Sequence, residues 1–207
     1  MKRITILTAI LLTSTLLFAQ SIEITPLFGY DISGQVDGYY GTFDVKDDMS
    51  FGGLLSVEVD NMSYIELGYH RTNTQVVTSS YGDFLENGRA DLAVEHYQVG
   101  ALREFQEGKV VPFAKVSLGT TRYAQMSKGN ERYWLFSAGV GLGAKIFIND
   151  MIGLRLHTNL MLPMEFSGGG IFCGIGGGGG GCSTAITFNV PLVHWNLGGG
   201  LIIRLPN

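Results

Sequence analysis

Apolar side chains alternate with small or charged ones from Tyr133 to Pro163, on both sides of a short polar turn at Asn149-Asp150. A period of two residues is that of a β-strand, in which successive side chains point to opposite faces. Two such stretches joined by a short turn predict a long antiparallel hairpin with one apolar face. In the first stretch the apolar positions are Trp134, Phe136, Ala138, Val140, Leu142, Ala144, Ile146 and Ile148.

Each arm of this hairpin is longer than an ordinary strand of a soluble protein. Soluble strands run for about 5–6 residues, whereas a strand that crosses a bilayer needs about 9–11. The second face carries Lys145, Arg155 and His157, so it is too polar for a packed core, and the first face is too continuously apolar to meet water. In a membrane barrel the apolar face meets lipid and the mixed face meets the lumen. The pattern therefore predicts a transmembrane β-barrel.

The composition agrees with this prediction. The chain has 207 residues, 30 of them glycine, with 15% charged residues and a mean hydropathy of +0.20. A chain of this length suits one domain. Beyond the N-terminal segment no stretch of the sequence is long and apolar enough for a spanning helix, so we expect strands to do the crossing. The net charge of −4 and the lack of a basic cluster predict that nucleic acid is not a partner.

The N-terminal segment has the layout of a secretory signal peptide. A basic head at Lys2-Arg3 precedes a short apolar core, and cleavage is expected after Ala19. Residues 1–19 are thus predicted to be removed, and residues 20–207 to form the barrel domain. The mature chain then lies in an export compartment, where disulfides are stable.

Continuing the alternation along the chain gives eight strands, whose connections alternate between long and short. Short turns with longer loops at the opposite end are typical of bacterial outer-membrane barrels, and an even strand count leaves both chain ends on one side. Short turns are predicted at Asp60-Asn61, Gln106–Gly108 and Asn149-Asp150, and long loops at residues 33–48, 72–89, 125–131 and 165–190. Aromatic residues near strand ends or on outward positions are expected at the level of the lipid headgroups: Tyr30, Tyr97, Tyr123, Tyr133, Trp134 and Trp195.

Two strand segments have a residue pattern that is typical of one known group of proteins: SYIELGYHR at 63–71 and KVVPFAKVSLG at 109–119. The chain resembles the small eight-stranded outer-membrane β-barrel family, which includes OmpX, OmpW and the membrane domain of OmpA. The resemblance covers Ile22 to Leu205. It implies an all-β fold, an eight-stranded antiparallel up-and-down transmembrane β-barrel, in the outer membrane, in contact with outer-membrane lipid and monomeric.

The inward positions carry charges of both signs together with histidines. An eight-stranded barrel is just wide enough to be filled by its own side chains or to hold one small ligand. A lone charge inside would be costly, so we expect these groups to pair across the lumen as a polar plug. A narrow proton or ion path is the alternative. The predicted lumen residues are Glu23, Glu58, Glu66, His70, His96, Lys115, Lys145, Arg155, His157, His194 and Arg204.

A lipid-modifying enzyme is the rival from a different functional class, because some small outer-membrane barrels use a Ser/His/acid set. The His-x-Ser signature that the resemblance leads one to expect is absent, since the residues two positions after the four histidines are Thr72, Gln98, Asn159 and Asn196. We therefore predict no catalytic site. Single histidines on four different strands also predict neither a metal site nor a cofactor.

Cys173 and Cys182 flank the glycine run Gly176–Gly181, and in an oxidising compartment they are predicted to form a disulfide. The glycine run lacks the Lys and Ser/Thr of a P-loop, so we expect a flexible loop there. The same loop carries apolar side chains that form the candidate binding surface for a host or surface ligand: Phe166, Ile171, Phe172 and Ile175.

The sequence therefore predicts a structural or adhesive outer-membrane protein that acts through its outer loops. One alternative is OmpW-like binding or transport of a small apolar molecule through the lumen or a lateral opening. A secreted soluble β-sandwich is a further alternative fold.

Overall fold

The computed structural model describes residues 21–38, 41–80, 88–126, 132–176, 179–189 and 193–205, with the backbone alone at 35–38, 41–43, 78–80, 165–176 and 179–189. The described residues form strands and turns. The strands are β1 (Ile22–Ser33), β2 (Gln35–Gly38), β3 (Gly41–Val45), β4 (Asp48–Asp60), β5 (Ser63–Ser80), β6 (Gly88–Glu104), β7 (Val110–Gln125), β8 (Arg132–Phe147), β9 (Ile152–Gly176), β10 (Gly179–Asn189) and β11 (His194–Leu205).

Eight of these strands close into a barrel. The neighbours run in the order β5, β4, β1, β11, β9, β8, β7, β6, and the pairing of β6 with β5 completes the ring. Every pairing is antiparallel, and apart from the short insertions each strand pairs with the next along the chain. The predicted up-and-down barrel is confirmed, and closure excludes the sandwich alternative. Within the described ranges, no helix has the length and apolar character to cross a bilayer.

Short turns join the strands at one end of the barrel, which we call the turn end. They lie between β4 and β5, between β6 and β7, and between β8 and β9. The first turn falls at Asn61-Met62, one residue later than predicted, with Met62 in the left-handed region at a φ of 60°. Gly108 has a φ of 127°, a conformation that a side chain disfavours. Ile22 pairs with Leu205, so both ends of the barrel domain also lie at the turn end.

The opposite end, called the hairpin end, is more regular than the sequence predicted. The predicted loop at 33–48 contains β2 and β3, and β3 pairs with the part of β5 nearest the hairpin end. The predicted loop at 72–89 is mostly strand, because β5 and β6 stay paired up to Thr78 and Gly88. These loop predictions were wrong because polar strands outside the membrane lack the apolar alternation on which the strand prediction rested.

The predicted long loop at 165–190 is also wrong. There β9 continues to Gly176 and pairs with β10 from Glu165 to Gly176, with one register shift. Of the glycine run, Gly176 pairs with Gly179, and Gly180 and Gly181 pair with Ile175 and Gly174. Glycine has no side chain, so a glycine-rich strand gives a weaker alternation in the sequence than a membrane-spanning strand does.

The two faces of the barrel wall differ sharply in chemistry. Outward residues are apolar and exposed, such as Val116 at 60% and Leu142 at 59%, whereas inward Lys145 and Arg155 are 0% and 1% exposed. Charge is thus enclosed and apolar surface is displayed, the reverse of a water-soluble fold. Such an outer surface fits a hydrocarbon environment.

Candidate functional site: the barrel lumen

The lumen brings together most of the residues that the sequence singled out. The buried members of the predicted set are Glu23, Glu66, His70, His96, Lys145, Arg155, His157 and His194. Lys115 and Arg204 are partly exposed but contact buried carboxylates. Glu58 lies at the rim of the turn end, beside a cavity that Glu104 and Arg204 also line. The contacts of these groups fall into three clusters along the barrel.

The first cluster, at the turn end, joins four strands. Lys145 on β8 is completely buried, and its Nζ lies 2.6 Å from Glu23 Oε2 on β1 and 2.7 Å from Glu104 Oε1 on β6. Arg204 on β11 donates to Glu23 Oε1 from Nη2 at 2.7 Å and from Nε at 3.1 Å. Two cations thus match two carboxylates. The Lys145 ammonium also lies 4.0 Å from the centroid of the Tyr64 ring, a favourable cation–π distance.

The second cluster crosses the middle of the barrel. Glu66 on β5 accepts a hydrogen bond from Arg155 Nη1 at 2.6 Å and from Lys115 Nζ at 2.7 Å. Because β5 and β9 are diametrically opposite in the ring, the Glu66–Arg155 pair spans the whole lumen. The Arg155 guanidinium lies 4.5 Å from the centroid of the Phe113 ring, which packs with Tyr64 and Leu102 in a small apolar cluster. The centre of the barrel is therefore occupied by a charged bridge that rests on an aromatic ring.

The third cluster lies toward the hairpin end and is centred on a buried carboxylate. His70 Nε2 lies 2.8 Å from Asp31 Oδ2, which also accepts a hydrogen bond from the Thr72 hydroxyl. Asn196 Nδ2 donates to Asp31 Oδ1 at 2.7 Å, and its Oδ1 lies 3.1 Å from His157 Nε2. Both oxygens of Asp31 are thus engaged. This cluster ties β1, β5, β9 and β11 together.

Histidine rings extend the third cluster across the barrel. The ring centroids of His70 and His96 are 5.7 Å apart, and those of His96 and His194 are 5.2 Å apart. His194 is held from both sides, with Nε2 at 2.8 Å from the Tyr123 hydroxyl and Nδ1 at 3.0 Å from Ser33 Oγ. Among the described side chains, no group of three His, Cys, Asp or Glu is arranged to hold a metal ion.

A small cavity lies between the second and third clusters. A cavity of about 30 Å³ there is lined in part by His96, Gln98, Lys115 and Asn159. A cavity of this size can hold water. His96 Nε2, Gln98 Oε1 and Asn159 Oδ1 have no hydrogen-bond partner among the described protein atoms, so a water there would have polar partners.

The lumen residues that complete the clusters but were not among the predicted set include Asp31, Glu104 and Asn196. All three occupy inward positions of the alternation, so parity was the signal that could have found them. A further charged group, Glu95 with Arg71 and Arg122, was missed because it lies on the outward parity. The sequence offers no means of telling which outward charges associate.

The aromatic residues divide between the two faces. Tyr123 was predicted to sit at the headgroup level, but it shares the inward parity of Thr121 and its hydroxyl contacts His194, so that prediction was wrong. The other predicted girdle residues are exposed: Tyr30, Tyr97, Tyr133, Trp134 and Trp195.

The two cysteines, Cys173 and Cys182, are directly opposite partners in the backbone register of the β9–β10 hairpin. Their side chains lie outside those described, so the disulfide stays a prediction. The side chains of Phe166, Ile171, Phe172 and Ile175 and the predicted signal peptide also lie outside the described part of the chain.

Comparison with known proteins identifies the fold. No protein-family model matches the chain, and no curated protein matches it. Neisserial surface protein A is similar in structure, with a TM-score of 0.57 and 11% identity over 90% of this chain and 97% of that one. The N-terminal β-barrel domain of Pseudomonas aeruginosa OprF has a TM-score of 0.52 and 14% identity over 89% and 97%. The outer membrane protein AlkL has a TM-score of 0.50 and 9% identity over 89% and 90%. The chain thus has the fold of the small outer-membrane barrels.

Proposed function

We propose that this chain is a monomeric outer-membrane barrel whose lumen is closed by its own side chains and whose projecting hairpins bind partners at the cell surface, without catalysis. The outer-membrane fold and the exposed apolar belt support this location. In this arrangement the turn end faces the periplasm and the hairpin end faces outward.

The observation that carries the closed-lumen proposal is the Glu66–Arg155 bridge between opposite strands. Clusters around Lys145 and Asp31 lie on either side of it, so a solute would meet three successive polar barriers. Buried charges that lose one partner are strongly disfavoured, which resists opening of the bridge.

The proposed surface role rests on strands that are longer than a membrane span requires. Strand β9 has 25 residues, against the about 9–11 that cross a bilayer. From Glu165 to Gly176 it pairs with β10, and the proposed Cys173–Cys182 disulfide would lock that hairpin. A second projecting sheet consists of β2, β3 and the parts of β5 and β6 nearest the hairpin end. Paired strands present a defined surface to a partner more effectively than an irregular loop does.

Single-channel recording in planar bilayers tests the closed lumen. The full chain is expected to show no stable conductance, whereas Glu66→Ala combined with Arg155→Ala removes the central bridge and should admit ions. The matched control combines Arg103→Ala with Glu107→Ala, which removes the same charges at exposed positions near the turn end. Stable conductance of the unmodified chain would contradict the proposal.

Surface display tests the role of the hairpins. An epitope inserted between Gly176 and Gly179 should be detected by antibody on intact cells, whereas the same epitope at Asn149-Asp150 should be detected only after permeabilisation. Deleting residues 168–187 should then leave a heat-modifiable barrel and remove any attachment of the cells to surfaces that the full chain confers. Equal attachment with and without the hairpin would contradict the proposal.

The two rival functions give different outcomes in the same cells. Passage of a small apolar molecule predicts faster uptake of an alkane by cells that produce the chain. A lipid-modifying enzyme predicts an altered mass spectrum of lipid A. We expect neither change.

A further inference from the structure

A cluster of charged side chains lies on the outer, lipid-facing side of the barrel, apart from the lumen. Arg71 on β5, Glu95 on β6 and Arg122 on β7 are successive partners in the strand register, and Trp134 on β8 continues the same row. We call these four residues the outer arginine cluster. Charged side chains on the outward parity are costly in hydrocarbon, so such a cluster needs a polar neighbour.

The carboxylate at the centre of the cluster is fully engaged. Glu95 Oε1 accepts from Arg71 Nη1 at 3.2 Å and from the Tyr69 hydroxyl at 3.3 Å. Glu95 Oε2 accepts from Arg122 Nη1 at 2.8 Å and from the Tyr97 hydroxyl at 3.3 Å. The Glu95 side chain is only 7% exposed. The carboxylate therefore orients two guanidinium groups and is itself shielded from outside ligands.

The two guanidinium groups keep donors for another anion. The side chains of Arg71 and Arg122 are 32% and 21% exposed, and with one carboxylate between them the cluster has an excess positive charge. A guanidinium has five N–H donors. Arg71 uses Nε for Asn73 Oδ1 and Nη1 for Glu95, and Arg122 uses Nη1 for Glu95, so further N–H groups remain on each. The Arg122 Cζ lies 5.6 Å from the centroid of the Trp134 ring, which restrains the orientation of the guanidinium.

The position of the cluster indicates which anion it meets. From Ser63 to Arg71, β5 has a length close to a membrane span, and the outward residues between them are apolar or aromatic. On the neighbouring strands the exposed side chains of Val99 and Leu118 continue the apolar surface toward the turn end. Tyr69 and Tyr97 lie next to the cluster on that side, and aromatic residues of this kind favour the membrane–water interface. The cluster thus lies where the apolar belt ends toward the hairpin end.

We propose that the outer arginine cluster binds the phosphate of a lipid headgroup in the outer leaflet, with the acyl chains along Val99 and Leu118. Guanidinium groups match the geometry of phosphate oxygens through paired hydrogen bonds. A lipid supplies the phosphate and the acyl chains together, which fits a cationic site that borders an apolar surface. This inference rests on the proposed outward orientation of the hairpin end.

Native mass spectrometry of the full chain in detergent micelles, titrated with bisphosphorylated lipid A, tests the site. Arg122→Gln should weaken binding about tenfold or more, because a hydrogen-bonded charge is lost. Arg103→Gln is the matched control, since Arg103 lies on the outward face of β6 at the turn end, and it should bind as the unmodified chain does.

Several results would overturn the inference. One is that dephosphorylated lipid A binds as tightly as bisphosphorylated lipid A. Another is that Arg122→Gln binds the lipid as tightly as the unmodified chain does. A third is that millimolar inorganic phosphate displaces the lipid. A heat-modifiable gel shift confirms for each variant that the barrel is folded. The titration in micelles does not depend on lumen conductance or surface display, so failure of this inference is distinguishable from failure of the proposed function.

Discussion

Lys145 Nζ lies 2.6 Å from Glu23 Oε2, although the two residues are 122 positions apart in the chain. The pair connects β8 to β1 across the interior, and neither side chain is more than 1% exposed. Every strand between them must be placed correctly before the contact can form. The ion pair is therefore a sensitive measure of barrel closure, and the first prediction concerns it.

Lys145→Met should destabilise the folded barrel by about 3–5 kcal/mol, because it leaves Glu104 buried without its cation and Glu23 with Arg204 alone. The free energy of unfolding can be measured by urea titration in lipid vesicles, followed by tryptophan fluorescence. Lys109→Met, at an exposed position beside the same end of the barrel, should change this free energy by less than about 0.5 kcal/mol. Equal stabilities of the two variants would show that the buried ion pair does not support the fold.

A double-mutant cycle on Glu66 and Arg155 should reveal direct coupling between opposite walls. Glu66→Gln and Arg155→Met should each be destabilising, and the double variant should lose less stability than the sum of the two. A coupling free energy of about 1–3 kcal/mol is expected for groups in contact. A cycle between Glu66 and the exposed Arg132 should give coupling near zero, and additive effects for Glu66 and Arg155 would contradict the bridge.

Gly52→Ala and Gly53→Ala should differ although the two glycines are adjacent on β4. A Cβ at Gly52 would overlap the carbonyl oxygen of Tyr69 on the neighbouring strand, whereas a Cβ at Gly53 would lie an ordinary 3.8 Å from the carbonyl oxygen of Thr25. Overcrowding of this kind costs about 1–3 kcal/mol. Urea unfolding of both variants checks the order of stabilities, and a less stable Gly53→Ala would contradict it.

Cys173 and Cys182 should react with a maleimide only after reduction. Direct partners in an antiparallel pair have Cα separations of about 4.5–5.5 Å, which lie within the range of disulfides. The measurement is intact mass after labelling in denaturant, with and without prior reductant. A Cys173→Ser variant supplies the control for a single labelled thiol, and labelling of both cysteines without reductant would show that the disulfide is absent.

Much of the barrel could be predicted from the sequence because the alternation of apolar and polar side chains is a pattern within each strand. The inward placement of Lys145 and Arg155 and the outward placement of Leu142 and Val116 follow from parity alone. The hairpin end could not be predicted in the same way, because its strands are rich in polar residues and glycine and alternate less clearly than the membrane-spanning strands. Tyr123 was misplaced because an aromatic residue near a strand end suits either face, and its hydrogen bond to His194 is made by a distant strand.

The sequence by itself determined which side chains face lipid and which face the lumen, because an extended chain turns alternate residues to opposite sides. Only the tertiary structure decided which inward charges meet. Glu66 and Arg155 are 89 positions apart, and their contact depends on how far each strand is staggered against the next around the closed ring. The outer arginine cluster has the same origin, since register across three strands, rather than any local pattern, brings Arg71, Glu95 and Arg122 into one row.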